Sequence, residues 1–208
     1  MIRARHLRPA GWGLALALTC CLGTSRPSRF YTLQPLDVTE GHGPTAPGTT
    51  VAVGPVELPD YLERPQIVTR SGSNEILIAE FDRWGGALDQ QIDAALVTTL
   101  TERLGPSGIS VVPQRSVIRS GTPVRVAVSV TRFDGTPGQS VVLQARWELR
   151  VRKDGKEESL GIRDESVVEA VEGSGYDALV AAMQRAVVRI GQHMGDGLVA
   201  SRQLARTP

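Results

Sequence analysis

The sequence predicts an α+β fold: one domain with a mixed, mainly antiparallel sheet and two main helices. Two stretches, at 87–104 and from about residue 174, repeat apolar residues every three or four positions, as amphipathic helices do. The other apolar segments alternate with a period of two, which is typical of strands. Their order is strands, helix, meander and second helix, and this favours α+β over repeated βαβ units.

Four short strands are predicted ahead of the first helix. Between the first and second of them, 37–50 is rich in glycine and proline and is expected to be a loop or tether. The predicted strands are Phe30–Leu33, Thr50–Val56, Ile67–Arg70 and Glu75–Phe81. The last of these carries apolar residues on both faces, so we expect it to be covered on both sides at least in part.

The first helix is expected over Ala87–Leu104, where one apolar stripe is continuous. Asp89 and Asp93 lie near its start, where the helix dipole favours negative charge, and Gly105–Pro106 ends it. Trp84, just before the helix, either closes the core beneath it, which is the favoured interpretation, or contacts a ligand.

A meander of longer strands follows. The Asp154–Gly155 pair is a strong hairpin signal. Trp147 falls on the apolar face of its strand and is expected in the core. The predicted strands are Ile109–Val112, Val124–Thr131, Val141–Arg152 and a return through Leu160 towards Val171.

The second helix begins near Ser174, which forms a capping-box pattern with Asp177. Its apolar stripe runs from Tyr176 to Leu198. Three glycines, at 191, 195 and 197, weaken the later turns by about 1 kcal/mol each relative to alanine. The pattern therefore leaves the end of this helix open.

The first 20 residues resemble an export signal. Arg3, Arg5 and Arg8 precede the apolar run Trp12–Leu22, which is shorter than the roughly 20 residues that a membrane span needs. Removing this segment takes away three basic residues and no acidic one, so the mature domain is slightly acidic.

Both cysteines of the chain end the apolar run, so they cannot form a disulfide framework in the folded domain. The segment Leu18–Cys21 resembles a lipobox, and we expect Cys21 to be acylated, with Cys20 as the alternative. This predicts a signal peptide at 1–20, a lipidated tether at 21–29 and a domain at 30–208. Leu22 follows the cysteine and no aspartate does, which favours the periplasmic face of the outer membrane.

Residues suited to catalysis are scarce. A net charge of +1 and the absence of a basic run exclude a nucleic-acid binder. His42 lies in the glycine- and proline-rich loop at 37–50, and His193 is the one histidine beyond it. No phosphate-binding glycine motif occurs, and Glu57, Asp60 and Glu63 cluster around Arg64. We expect no enzyme, no metal and no cofactor, and a periplasmic hydrolase using His193 and Glu57 is the least favoured alternative.

The most distinctive stretch is Val51–Val68, VAVGPVELPDYLERPQIV, in which proline punctuates a loop between two strands. Together with Tyr31–Leu33 and Phe81–Trp84, it resembles the PqiC/YmbA-like family of ABC-type transport auxiliary lipoproteins. The resemblance covers residue 30 to the C-terminus and is most specific in its first third.

The resemblance implies a function without chemistry. Such a protein works beside a PqiB-like MCE-domain protein that crosses the periplasm, and it docks or supports a conduit that carries lipid between membranes. It could form a homo-oligomeric ring around a symmetric conduit, and whether it touches lipid itself is left open. A structural lipoprotein of another envelope complex is the main alternative.

The loop within this segment has two possible roles. In the first, Pro59 and Pro65 rigidify it, Tyr61 and Leu62 offer apolar contact area, and Arg64 offers several donors to a partner. In the second, favoured role the loop is a structural crossover. Tyr61 and Leu62 then cap the core, and Arg64 pairs with Glu57 or Asp60.

Overall fold

The computed structural model describes residues 26–33, 49–116, 124–153 and 155–204, with side chains described as far as residue 200. The predicted signal peptide and the lipidation site at Cys21 or Cys20 lie outside the described residues. So do most of the predicted tether and the 37–48 part of the glycine- and proline-rich loop.

The described residues form eight strands and two long helices in the predicted order. Their bounds lie within a few residues of the predicted ones. The strands are β1 (Arg29–Tyr31), β2 (Thr49–Glu57), β3 (Gln66–Ser71), β4 (Glu75–Trp84), β5 (Ile109–Pro113), β6 (Val124–Gly135), β7 (Ser140–Lys153) and β8 (Lys156–Ala170). The helices are α1 (Leu88–Leu104) and α2 (Tyr176–Leu204), so the α+β prediction is confirmed.

The strands divide between two sheets. The larger has the order β5-β2-β6-β7-β8, in which β2 pairs in parallel with β5 and β6, and the long β6-β7-β8 meander is antiparallel. The smaller has the order β1-β4-β3, with β1 parallel and β3 antiparallel to β4. Both sheets are therefore mixed, and the longest pairings are antiparallel.

Both helices pack on one face of the larger sheet and against each other. The predicted apolar stripe of α1 is buried, including Ile92, Leu96 and Leu100. The stripe of α2 is buried as well, and Trp147 of β7 is only 3% exposed beneath that helix. Burial of each such side chain stabilises the fold by about 1.5–3 kcal/mol.

The glycines of α2 lie against neighbours rather than ending the helix, which continues to Leu204. A Cβ atom at Gly191 would lie 2.9 Å from the methyl carbon of Thr99 on α1. At Gly195 it would lie 2.6 Å from Cγ of Arg103. The missing side chains therefore allow the two helices to approach closely, which offsets their low helix propensity.

The expectation that β4 is covered on both faces was wrong for most of its first half. Ala79 is buried, but Leu77 and Ile78 are each 48% exposed. This end of β4 pairs only with β3, near the tip of a two-stranded hairpin. The hairpin tip lies at the end of the smaller sheet, where β1 does not reach.

Candidate functional site

A groove of about 870 Å³ lies where the 51–68 segment meets the start of α1 and the end of β4. This volume is within the roughly 300–1,000 Å³ that is usual for ligand sites. We call it the docking groove. Its lining residues are Phe30, Val56, Glu57, Leu58, Leu62, Glu63, Arg64, Pro65, Trp84, Gly85, Gly86, Ala87, Leu88 and Asp89.

The three sequence segments that carry the family resemblance meet beside this groove. Tyr31 of β1 lies opposite Trp84 of β4, and its hydroxyl donates to Oδ1 of Asp82 at 2.8 Å. Burial and the Asp82 carboxylate raise the pKa of Tyr31 to about 12, so the hydroxyl stays protonated as a donor. The Trp84 amide donates to the carbonyl oxygen of Pro65 at 2.7 Å, which ties the loop to β4.

The groove has an apolar floor and an exposed aromatic side chain at its edge. Leu62, Trp84 and Leu88 are 4% exposed or less, so most of each side chain belongs to the core. Phe30, by contrast, is 67% exposed at the groove edge. Phe30 therefore adds exposed apolar surface at the edge of the concave site. Trp84 thus closes the core, as predicted, while part of its surface also lines the groove.

Arg64 lines the groove without an ion pair to either predicted carboxylate. Glu57 and Asp60 are both exposed. In the described part of the chain, neither carboxylate forms an ion pair with the Arg64 guanidinium. The predicted pairing is therefore wrong. The Nε atom of Arg64 is buried and has no hydrogen-bond partner. A buried donor without a partner costs about 1–3 kcal/mol, so an acceptor brought by a ligand would be favoured here.

Tyr61 does not line the groove. It follows Pro59 in a one-turn helix at Asp60–Leu62, and its hydroxyl donates to Oδ2 of Asp134 at 3.3 Å. The hydroxyl oxygen of Tyr61 accepts a hydrogen bond from the amide N–H of Phe133 at 3.4 Å. Burial raises the pKa of Tyr61. Of the five residues predicted to bind a partner, Leu62, Arg64 and Pro65 line the groove. Tyr61 instead contacts Asp134, and Pro59 precedes the one-turn helix.

Asp134 is the centre of a buried charged cluster that sequence reasoning missed. Its carboxylate is fully buried and accepts hydrogen bonds from Arg70 and Arg132. Burial alone would raise the pKa of Asp134, but the bonds from the two guanidinium groups outweigh it and lower that pKa. In the sequence Asp134 precedes Gly135 and looked like an ordinary turn residue.

A second cavity, of about 310 Å³, adjoins the docking groove through their shared lining residues Val56 and Asp89. We call it the polar recess. Asp93 of α1 and Gln114 line it, and their Oδ1 and Oε1 atoms are both buried without a hydrogen-bond partner. Arg115 approaches the other carboxylate oxygen of Asp93 at 3.4 Å. The sequence placed Asp93 only as a favourable charge near a helix start.

The candidates for catalysis do not converge. His193 lies half-exposed on α2, with its Nδ1 3.3 Å from Oε2 of Glu165. Glu57 lines the docking groove, whereas His193 does not. Among the described residues, no three His, Cys, Asp or Glu side chains are placed to hold a metal ion. No helix in this described part of the chain has the length and apolarity of a membrane span.

Two solved structures share this fold over nearly their whole length. An uncharacterized protein is 22% identical, with a TM-score of 0.68, and the match covers 83% of this chain and 99% of the other. A Xanthomonas campestris protein of the DUF330 family is 17% identical, with a TM-score of 0.66, and covers 86% and 100%. No curated protein matches the chain significantly.

The family comparison covers most of the described domain. The model of the ABC-type transport auxiliary lipoprotein component matches residues 31–195, about four-fifths of the chain. It includes the last residue of β1, the loop that borders the docking groove and most of α2. The match confirms the resemblance that the 51–68 segment carries, and the chain belongs to the family of ABC-type transport auxiliary lipoprotein components.

Proposed function

We propose that this protein is an outer-membrane lipoprotein, anchored through Cys21, that docks an MCE-domain protein of an intermembrane lipid transport system. In this role it is a non-catalytic auxiliary component and supports membrane integrity. The observation that carries the proposal is the docking groove, because it is built from the segments that are characteristic of the family.

The position of the groove agrees with a membrane anchor. Phe30 at its edge follows Cys21 by nine residues. An extended chain spans about 3.3–3.6 Å per residue, so acyl chains on Cys21 would hold the groove within about 30 Å of the membrane surface. At that distance the domain can receive the outer end of a conduit that crosses the periplasm.

The groove also has the chemistry of a protein-docking site. Leu62, Trp84 and the exposed Phe30 provide apolar surface for an anchoring side chain. Arg64 carries an unpaired Nε donor, and a carboxylate or carbonyl of the MCE protein would complete it. We therefore expect the partner to present an apolar segment with an acceptor next to it.

The larger sheet supports the further proposal of a homo-oligomeric ring. In the described part of the chain β5 and β8 are its edge strands. Three apolar side chains on β8, Leu160, Ile162 and Val168, are each about 60% exposed. Contacts between one edge of a copy and a different surface of the next are heterologous, and such contacts close into rings when the rotation allows.

Crosslinking in intact membranes followed by purification of the tagged lipoprotein tests the docking proposal. We expect an MCE-domain protein to be captured by the wild type and to be reduced at least fivefold in the Arg64→Met variant. Arg103→Met is the matched control, because Arg103 pairs with Asp196 at the far end of α1 and does not line the groove. Recovery of no MCE-domain protein with the wild type would contradict the proposal.

A further inference from the structure

Two residues that line the polar recess carry acceptors without a hydrogen-bond partner. Asp93 and Gln114 both line this cavity, and Oδ1 of Asp93 and Oε1 of Gln114 are buried acceptors without a partner. The Asp93 side chain is nine-tenths buried, and a buried carboxylate oxygen without a donor is costly. A ligand group with several N–H donors could donate a hydrogen bond to each of these two acceptors.

The charges around the recess suggest a zwitterion. Asp93 supplies a negative charge inside, while the Arg115 guanidinium lies 3.4 Å from its outer oxygen and is 61% exposed. An ammonium group beside Asp93 would pair with the carboxylate, and an anionic group of the same ligand would reach Arg115. Burial raises the pKa of Asp93, and a bound cation would reverse that effect by favouring the charged carboxylate.

The backbone at Gly54 leaves room for such a head group. Gly54 has a φ of +104°, and a Cβ atom there would lie 2.9 Å from Oδ1 of Asp93. A side chain at this position would therefore crowd the unpaired oxygen. Glycine adopts this positive φ without strain, and its lack of a side chain keeps the approach to the carboxylate open.

The recess is continuous with an apolar surface. Val56 and Asp89 line both the recess and the docking groove, whose floor includes Leu62 and Trp84. A ligand that fills both cavities has an ammonium and an anionic group at one end and hydrocarbon at the other. We propose that the polar recess and the docking groove together bind an aminophospholipid, with its primary ammonium on Asp93 and Gln114. The proposal rests on the lipid-transport role proposed above, and in it the lipid and the apolar segment of the MCE-domain protein occupy the docking groove in turn.

The test compares lipids that differ only in the head group. Full-length lipoprotein in detergent is titrated with phosphatidylethanolamine, phosphatidylcholine and phosphatidylglycerol that carry the same fluorescent acyl chain. Phosphatidylcholine keeps the positive charge but has no N–H donor, and phosphatidylglycerol lacks the cation. We expect phosphatidylethanolamine to bind at least tenfold more tightly than the other two.

Substitutions show which residues cause the preference for phosphatidylethanolamine. Asp93→Asn should reduce phosphatidylethanolamine binding at least tenfold, to the level of phosphatidylcholine, and Gln114→Met should reduce it several-fold. Asp196→Asn is the control, because Asp196 pairs with Arg103 away from both cavities. A thermal unfolding midpoint for each variant shows that it is folded. If Asp93→Asn does not fold, the lipid affinity of Gln114→Met still tests the site.

Three results would overturn the inference. They are equal binding of phosphatidylethanolamine and phosphatidylcholine by the wild type, an unchanged preference in Asp93→Asn and Gln114→Met, and binding of soluble glycerophosphoethanolamine as tight as that of the lipid. The last would show that the groove adds nothing. None of these measurements includes an MCE-domain protein, so their failure is distinguishable from failure of the docking proposal.

Discussion

Arg70 holds the buried carboxylate of Asp134 with two hydrogen bonds, from Nε to Oδ1 at 2.9 Å and from Nη2 to Oδ2 at 2.8 Å. The pair joins β3 of the smaller sheet to β6 of the larger one. Tyr61 adds a third contact from the loop that borders the docking groove. The position of that loop thus depends on a cluster at the junction of the two sheets.

Replacing Asp134 with asparagine should destabilise the protein. Arg70 and Arg132 would both lose the negative charge of the Asp134 carboxylate with which they pair. Breaking a buried ion pair costs about 3 kcal/mol. Urea unfolding followed by circular dichroism measures this change. Asp164→Asn is the matched control, because the Arg146–Asp164 pair is largely exposed and should contribute little. Equal midpoints for the two variants would contradict a role for the cluster.

The same cluster predicts how stability depends on pH. The pKa of Asp134 is lower in the folded protein than the ordinary value of 3.8, so the unfolded chain binds its proton more readily. Its contribution is fully present above about pH 4 and is lost as the pH falls through the folded pKa. The difference in urea midpoint between wild type and Asp134→Asn should therefore shrink between pH 6 and pH 3. A constant difference over this range would contradict the assignment.

Local patterns predicted the elements of the fold, whereas the sites depend on distant contacts. The stripe of α1 is visible because its period is set by the helix itself. Asp134 and Arg70 are 64 residues apart, and no local pattern predicts that they meet. Asp93 resembled a charge near a helix start, and only the packing of Gly54 and Gln114 around it shows that it is buried.

The close approach of the helices predicts an unusual response to alanine. At an unhindered helical position, glycine to alanine stabilises by about 1 kcal/mol. Gly191→Ala should instead destabilise by about 1–3 kcal/mol, because its Cβ would meet Thr99 at 2.9 Å and force the helices apart. Gly105→Ala is the control: Gly105 has helical backbone angles and nothing within 4 Å of a Cβ. Thermal unfolding of both variants measures the difference, and a more stable Gly191→Ala would contradict it.

Substituting each of the two adjacent cysteines in turn tests which one is the anchor. Cys21→Ser should abolish incorporation of labelled palmitate and release the domain from the membrane fraction, because the acyl chains would have no attachment site. Cys20→Ser should keep both the label and the membrane location. Labelling with a palmitate analogue and sucrose-gradient separation of the membranes measure the two effects, and the same gradient identifies the membrane. The reverse result would move the anchor to Cys20.

The exposed apolar residues of β8 predict the oligomeric state. If copies associate through this edge, Ile162→Lys should shift the full-length protein in detergent from a ring to smaller species, because a buried unpaired charge would oppose the contact. Leu77→Lys is the matched control, since Leu77 is a similarly exposed apolar residue on the other sheet. Light scattering coupled to size exclusion measures the mass of each variant. A monomeric wild type, or an Ile162→Lys variant of unchanged mass, would contradict a ring built through β8.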